Sequence, residues 1–283
     1  MAFRIAVVQP LSHRPGQDQA NVADAVHAIE RAAGDGAHFV CFPETYPGPW
    51  RTPASFDPVP AMVKAAAEHS VHVVFGTIEP IDQRAAHNLI CMAYPDGRPP
   101  ARYRRTHPNG PWIYTGGPAW EFQWVPGNEF PVFDTVHGKV GLAMCSEVYV
   151  PEVARALALR GAELIFMPAG TDKRRLWATW RTLIWARAIE NLAIVVTTQN
   201  LFDRSERGLA MVAGPEAILF ESTIAGTAVV EVSLDRVRHL RSTRDEVGSS
   251  DRYAVKQGLL GPQWQRPELY DVIHPRALRD AAE

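Results

Sequence analysis

The sequence predicts an α/β protein in which helices lie outside two mixed β-sheets. Three observations lead there. Short apolar strand-like runs alternate with segments whose apolar residues recur at helical spacing. Some neighbouring strand-like runs have only a turn between them, which implies antiparallel pairs and does not suit a purely parallel sheet. The chain has 283 residues, 46% of them hydrophobic, enough to bury a sizeable core.

Residues 3–8 form the first strand. Val22, Ala25, Val26, Ile29 and Ala33 recur at helical spacing, and Gly34 and Gly36 close that helix. Residues 39–42 are a short apolar strand that runs into Pro-Glu-Thr-Tyr-Pro-Gly-Pro. Residues 62–69 are helical, 71–78 and 88–94 are strands, and Pro95-Asp96-Gly97 is a turn. Residues 98–130 are rich in Pro, Gly, Trp and Arg and keep no clean period. A stretch that long in a compact protein more often serves function than merely connects. Alternation resumes with a strand at 140–144, a helix at 151–160 opened by Pro151 and ended by Gly161, and a strand at 164–167. A long helix covers 176–191 and a strand 193–198. Strand-like pieces follow at 209–212, 218–221 and 227–232. The last ~50 residues lose the pattern. They read as a tail, about 240–283, packed on the body or on a neighbouring subunit. No repeat or linker divides the chain, so residues 1–283 are expected to form one domain.

Composition excludes several functions. Charged residues make up 21% and the formal net charge is −2, which gives no broad attraction to nucleic acid or an anionic membrane. No apolar run approaches the ~18–20 residues of a membrane span. The N-terminal apolar stretch is too short for a secretory signal. The three cysteines are widely spaced, form no metal-type pair and suggest no disulfide framework. A reducing, cytoplasmic setting is expected. The ten histidines are scattered, and even the closest pair, His69 and His72, makes a poor metal site. Dinucleotide, P-loop, serine-nucleophile and zincin motifs are absent. No cofactor and no metal are therefore expected.

Two residues stand where strands end. Cys145 follows the apolar run 140–144, just before the helix opened by Pro151, a place where α/β proteins carry nucleophiles. Glu44 follows the strand 39–42, in a loop of the kind that carries function. A thiol with a pKa near ~8.5 is mostly protonated at neutral pH, so a nearby carboxylate is the natural base for it. Cys41 and Cys91 read instead as small buried hydrophobes.

Four segments, in order, resemble the nitrilase (carbon–nitrogen hydrolase) superfamily. They are Phe42-Pro43-Glu44-Thr45, Tyr103-Arg104-Arg105-Thr106-His107, the run from Gly138 to Glu147 with Pro151-Glu152, and Ala186-Arg187-Ala188-Ile189-Glu190-Asn191. The stretch Arg266-Pro267-Glu268-Leu269-Tyr270 resembles the family's tail. Each motif alone is weak; the ordered set is specific. The resemblance implies an αββα sandwich and a cysteine–glutamate–lysine site. It implies hydrolysis of a non-peptide carbon–nitrogen bond through a cysteine thioester, in an amide or N-carbamoyl compound rather than a nitrile. Cys145 matches the nucleophile and Glu44 the base.

Arg105 stands where the family has its lysine. Arginine is larger, planar and permanently charged, with five donors in a fixed fork. It can serve the oxyanion in a wider site, or it can clamp Glu44 bidentately and mask it. The masked case corresponds to a silent or repurposed member that binds a small amide-like ligand or a protein partner. Acyl transfer to an amine is an intermediate option. Lys173 is the one nearby lysine the fold could bring in. Glu121 is the candidate for the second glutamate of some family members, ahead of Glu129, while Glu190 reads as structural. Trp112, Tyr114, Trp120, Phe122 and Trp124 make the long loop aromatic, suited to wall an apolar pocket or simply to pack. Lys173, Arg174 and Arg175 offer a seat for a substrate carboxylate. The resemblance also implies a homodimer or higher homo-oligomer. The expected partner is a small amide-like substrate, with no nucleic acid and no membrane.

Overall fold

Two mixed sheets face each other across a shared core, and helices cover their outer sides. The computed structural model describes residues 2–108, 114–115, 123–170, 176–242 and 255–270, with the backbone alone at 52, 114 and 115. The first half runs β1 (Ala2–Gln9), α1 (Ala20–Gly34), β2 (Phe39–Cys41), β3 (Arg51–Thr52), α2 (Val59–Glu68), β4 (His72–Pro80), β5 (Ala85–Ala93), β6 (Ala101–Arg104), β7 (Tyr114–Thr115) and β8 (Gln123–Trp124). The second runs β9 (Val132–Thr135), β10 (Gly138–Leu142), α3 (Pro151–Leu159), β11 (Leu164–Phe166), α4 (Trp177–Asn191), β12 (Ile194–Thr197), β13 (Ala210–Ala213), β14 (Ile218–Ser222), β15 (Gly226–Ser233) and α5 (Asp235–Ser242).

One sheet has the order β15-β1-β2-β4-β5-β6, with β8 also paired to β5; the other has the order β14-β13-β12-β11-β10-β9. Each centres on three parallel strands, β1, β2 and β4 in the first and β10, β11 and β12 in the second. The strand period of two explains the apolar runs. Phe3, Ile5 and Val7 face the opposite sheet, while Ala6 and Val8 pack on the α1–α2 layer. In α1, Ala25, Ala28, Ile29 and Ala32 repeat at helical spacing and are buried. In α3, Val153, Ala154, Leu157 and Ala158 do the same against the second sheet. Among the described residues no helix is long and apolar enough to cross a membrane.

Several elements, β6, β7, β8 and α5 among them, lie where the sequence showed no period. β6 falls inside the irregular stretch 98–130, and its burial alternates: Ala101 and Tyr103 in, Arg102 and Arg104 out. Four residues are too few to register against the prolines and arginines around them. α5 follows the last strand with only Val237 and Leu240 buried among charged neighbours. Beyond it, Gly258 N–H donates to the Leu240 carbonyl at 2.8 Å, and Gln257 is buried, so this part of the tail lies on α5.

At the end of the sandwich where β1, β2 and β4 begin, aromatic rings and histidines pack together. His72 stacks on Phe39 at 4.5 Å and meets Tyr94 edge-on at 5.8 Å. His137 lies 4.8 Å from His38 and 5.0 Å from Phe3. Burial, aided by the charges of His137 and Arg98, lowers the His72 pKa to about 4, while the His38 backbone and Asp96 pull the other way. The unfolded chain takes up this proton near pH ~6.5, so between there and pH 4 the unfolded state binds more protons. Stability is therefore full above pH ~6.5 and falls as the pH drops toward 4, by about 3 kcal/mol for this group. Urea unfolding between pH 7.5 and 4.5 should show that slope, and His72→Phe should flatten it. An equal slope in both proteins would rule His72 out as its source.

Candidate active site

The site is built where parallel strands end. After β10, Ala143 N–H donates to Phe166 O at 2.9 Å and Cys145 N–H to Pro168 O at 2.8 Å. The chain then turns into one 3-10 turn, Cys145–Tyr149. Cys145 has φ +52°, in the left-handed region that non-glycine residues rarely occupy. Such strain clusters at functional sites. The residue is 2% exposed.

Glu44 reaches the same place from the other sheet. Past β2, Phe42 N–H donates to Val74 O and Glu44 N–H to Ala169 O, at 2.8 and 3.0 Å. The Asn200 side chain donates to the Glu44 carbonyl at 2.8 Å. The backbones of Cys145 and Glu44 thus hang on adjacent carbonyls of residues 168 and 169, which brings the two segments together. A Cβ at Gly170 would lie 3.2 Å from Glu44 Oε2, so glycine there lets the chain pass close to the carboxylate. Glu44 Oε1 accepts from Asn88 Nδ2 at 2.8 Å and from Arg105 Nη1 at 3.1 Å.

Arg105 leaves the end of β6 and turns inward. Its N–H donates to Asn88 O at 2.9 Å, and its carbonyl accepts from Gly127 N–H at 2.8 Å. Its side chain is 2% exposed. Nε donates to the His107 carbonyl at 3.0 Å, Nη1 to Glu44, and Nη2 to the Ser146 hydroxyl. Burial alone would lower its pKa; the acidic groups around it, Glu44 first, outweigh that and raise it. The guanidinium is therefore a permanent cation beside the thiol and the carboxylate.

A family model described as carbon-nitrogen hydrolase matches residues 4–242. The chain belongs to the carbon-nitrogen hydrolase family. It is 27% identical over 275 residues to omega-amidase NIT2 of Homo sapiens, covering 90% of this chain and 98% of that one. It is 26% identical over 257 residues to deaminated glutathione amidase of a Synechocystis strain, covering 84% and 94%. NitN amidase from Nesterenkonia sp. AN1 superposes with a TM-score of 0.73 at 23% identity, covering 95% of this chain and 98% of that one. That likeness is one of fold.

Within the family pattern, the structure brings Cys145, Glu44 and Arg105 into one buried cluster. Arg104 is on the other face of β6, where it and Arg102 pair with Glu79 at 2.6 and 3.0 Å. A bidentate clamp on Glu44 is not what forms. Nε is committed to the His107 carbonyl and Nη2 to Ser146, so a single N–H reaches the carboxylate. Arg187, in the fourth motif, donates to Val148 O at 3.0 Å and pairs with Glu190 at 2.7 Å. It ties α4 to the turn that carries Cys145. Glu121, Trp112, Trp120, Phe122, Lys173, Arg174 and Arg175 lie outside the described residues, as does the Tyr114 side chain. Among the described residues no group of three or more His, Cys, Asp and Glu side chains could hold a metal.

Sequence reasoning missed Asn88, Ser146 and Glu147. Asn88 carried a signal: it shares the phase of Ile90 and Met92, which face the core between the sheets. A polar residue on an apolar strand face needs a partner, and its partner is Glu44. Ser146 and Glu147 stand within the run Gly138 to Glu147 that carries the resemblance, but the sequence assigned neither a partner, because the groups they meet come from residues 103–107.

Proposed function

We propose that this chain is a cofactor-independent amidase acting through a thioester on Cys145. One observation carries the reading: Arg105, a buried cation, reaches both the Glu44 carboxylate and the serine beside Cys145. The relatives named as amidases support an amide over a nitrile as substrate.

Glu44 takes the thiol proton as the Cys145 sulfur attacks the amide carbon. The carbonyl oxygen becomes an oxyanion, which an Arg105 N–H and nearby backbone donors stabilise. Collapse breaks the carbon–nitrogen bond, and Glu44 gives its proton to the departing amine. Water, deprotonated by Glu44, then attacks the thioester and releases the carboxylic acid and the thiol. Both bonds drawn to the Glu44 side chain fall on Oε1 among the described residues, which leaves Oε2 to handle these protons. Glu121 is the proposed auxiliary carboxylate. Lys173, Arg174 and Trp120 are proposed to face the substrate.

A second reading has one observation in its favour. Arg105 and Asn88 both hold Glu44, as they would in a silent member that only binds amide-like ligands. Incubation with small amides, N-carbamoyl compounds and nitriles separates the two. Ammonia release with a mass adduct that disappears in Cys145→Ala is expected. No Cys145-dependent adduct or ammonia from any compound would favour the silent reading.

We also propose that the chain works as one domain and as a homo-oligomer. The exposed Leu159, Trp264, Leu269 and Tyr270 give α3 and the segment 255–270 an apolar surface suited to a second copy.

A further inference from the structure

We propose that Glu147 is a positioning residue that fixes the Arg105 guanidinium relative to Cys145 and Glu44; this rests on the amidase reading above. Glu147 is fully buried, two residues past the nucleophile. At that place in a one-turn helix, an acidic side chain has a local task. Oε2 accepts the Met144 N–H at 2.9 Å, the back-bond of a capping box. That task needs one oxygen.

The other oxygen serves a distant segment. Oε1 lies 2.6 Å from the Tyr103 hydroxyl, 2.9 Å from Thr106 N–H, 2.8 Å from the Thr106 hydroxyl and 3.1 Å from His107 N–H. These donors stand on both sides of Arg105. Burying a carboxylate is unfavourable unless donors surround it, and here most of the donors come from the stretch that presents the guanidinium. One carboxylate therefore joins the turn that carries Cys145 to the stretch that carries Arg105. The Arg105 side chain then spans the gap through the His107 carbonyl and the Ser146 hydroxyl. A helix cap alone explains none of the four contacts on Oε1.

The charge matters as well as the shape. Hydrogen bonds from His107, Tyr103, Met144 and Thr106 outweigh burial and hold the Glu147 carboxyl below its ordinary pKa. It stays ionised, and with Glu44 it flanks Arg105 by a second negative charge. The contacts on Oε1 hold the stretch that carries Arg105, so the effect of Glu147 on the chemistry passes through Arg105.

Glu147→Gln keeps the size, loses the charge, and turns one acceptor into a donor that faces donors. The kcat for ammonia release from a primary amide should fall by about 10- to 100-fold, with KM within about threefold. A cycle with Arg105→Met separates positioning from mere structure. If Glu147 acts through Arg105, the double variant has the kcat of Arg105→Met alone. A Glu147→Gln loss in kcat that is as large in the Arg105→Met background as in wild type would overturn the proposal. So would an unchanged kcat beside a lowered Tm. Should Glu147→Gln not fold, Tyr103→Phe and Thr106→Val, which each remove donors from Oε1, enter the same cycle with the same criteria. Alkylation of Cys145 by iodoacetamide, read by intact mass, needs no turnover. Absence of turnover in wild type would sink the amidase reading alone. Slower alkylation in Glu147→Gln would still support positioning, and an unchanged rate would overturn it.

Discussion

Arg105→Met is expected to lose both activity and stability, and the two losses have different origins. Methionine fills much of the same volume but leaves Glu44, 2% exposed, without its cation. Removing one partner of a buried ion pair strands the other, at about 3–5 kcal/mol. The Ser146 hydroxyl and the His107 carbonyl lose their donors as well. If an Arg105 N–H also serves the oxyanion, kcat should fall by about 100- to 1000-fold with little change in KM. Arg105→Lys tests which property matters. An ammonium restores the charge but cannot reach in three fixed directions at once. It should recover most of the stability and only part of kcat. Thermal melts and steady-state ammonia release on the three proteins decide the matter. Wild-type kcat in Arg105→Met, with only Tm lowered, would make the arginine structural. A kcat for Arg105→Lys above wild type would mean that arginine holds back the family's chemistry, and the silent reading would gain.

The strand ends that bear Glu44 and Cys145 were legible because each follows a buried apolar run, and a chain leaving such a strand has to turn. The ordered motifs put Arg105 beside them. What the sequence could not say is how its fork opens. That depends on the His107 carbonyl and the Ser146 hydroxyl, which come from separate segments and meet only in the folded protein. Glu147 shows the same limit from the other side. Its spacing from Cys145 advertises at most a helix cap, and its four further contacts come from residues 103–107. Glu121, by contrast, resembles a family feature in the sequence alone. Asn88 was within reach, since the phase of its strand points it into the core between the sheets, where an amide must find a partner. β6 was not, because its alternation spans only four residues.

Gly76→Ala should be the most damaging change that touches no catalytic side chain. Gly76 lies inside β4, where glycine is otherwise a weak choice. A Cβ built on it would fall 2.1 Å from Thr45 N and 2.9 Å from Glu44 C. Those neighbours are backbone, so no rotamer can relieve the contact. Thr45 already sits at φ +56°, a conformation with little room to give. Gly76 N–H also donates to Tyr46 O at 2.9 Å, which holds the turn down on the strand. An alanine must therefore lift residues 44–46 away from β4 and move the Glu44 carboxylate off Asn88 and Arg105. Overpacking of this kind costs about 1–3 kcal/mol and sometimes more. A displacement near 1 Å at a reacting group costs about 100-fold in rate, so kcat should fall by at least that much. Gly34→Ala is the matched control. Nothing lies within 4 Å of its Cβ position at the end of α1, so Tm and kcat should hold, with a gain of up to about 1 kcal/mol from the stiffer unfolded chain. Melting both variants and assaying both for ammonia release completes the comparison. If Gly76→Ala behaves like Gly34→Ala, the turn can shift without cost, and Glu44 takes its position from Arg105 and Asn88 rather than from the strand beneath it.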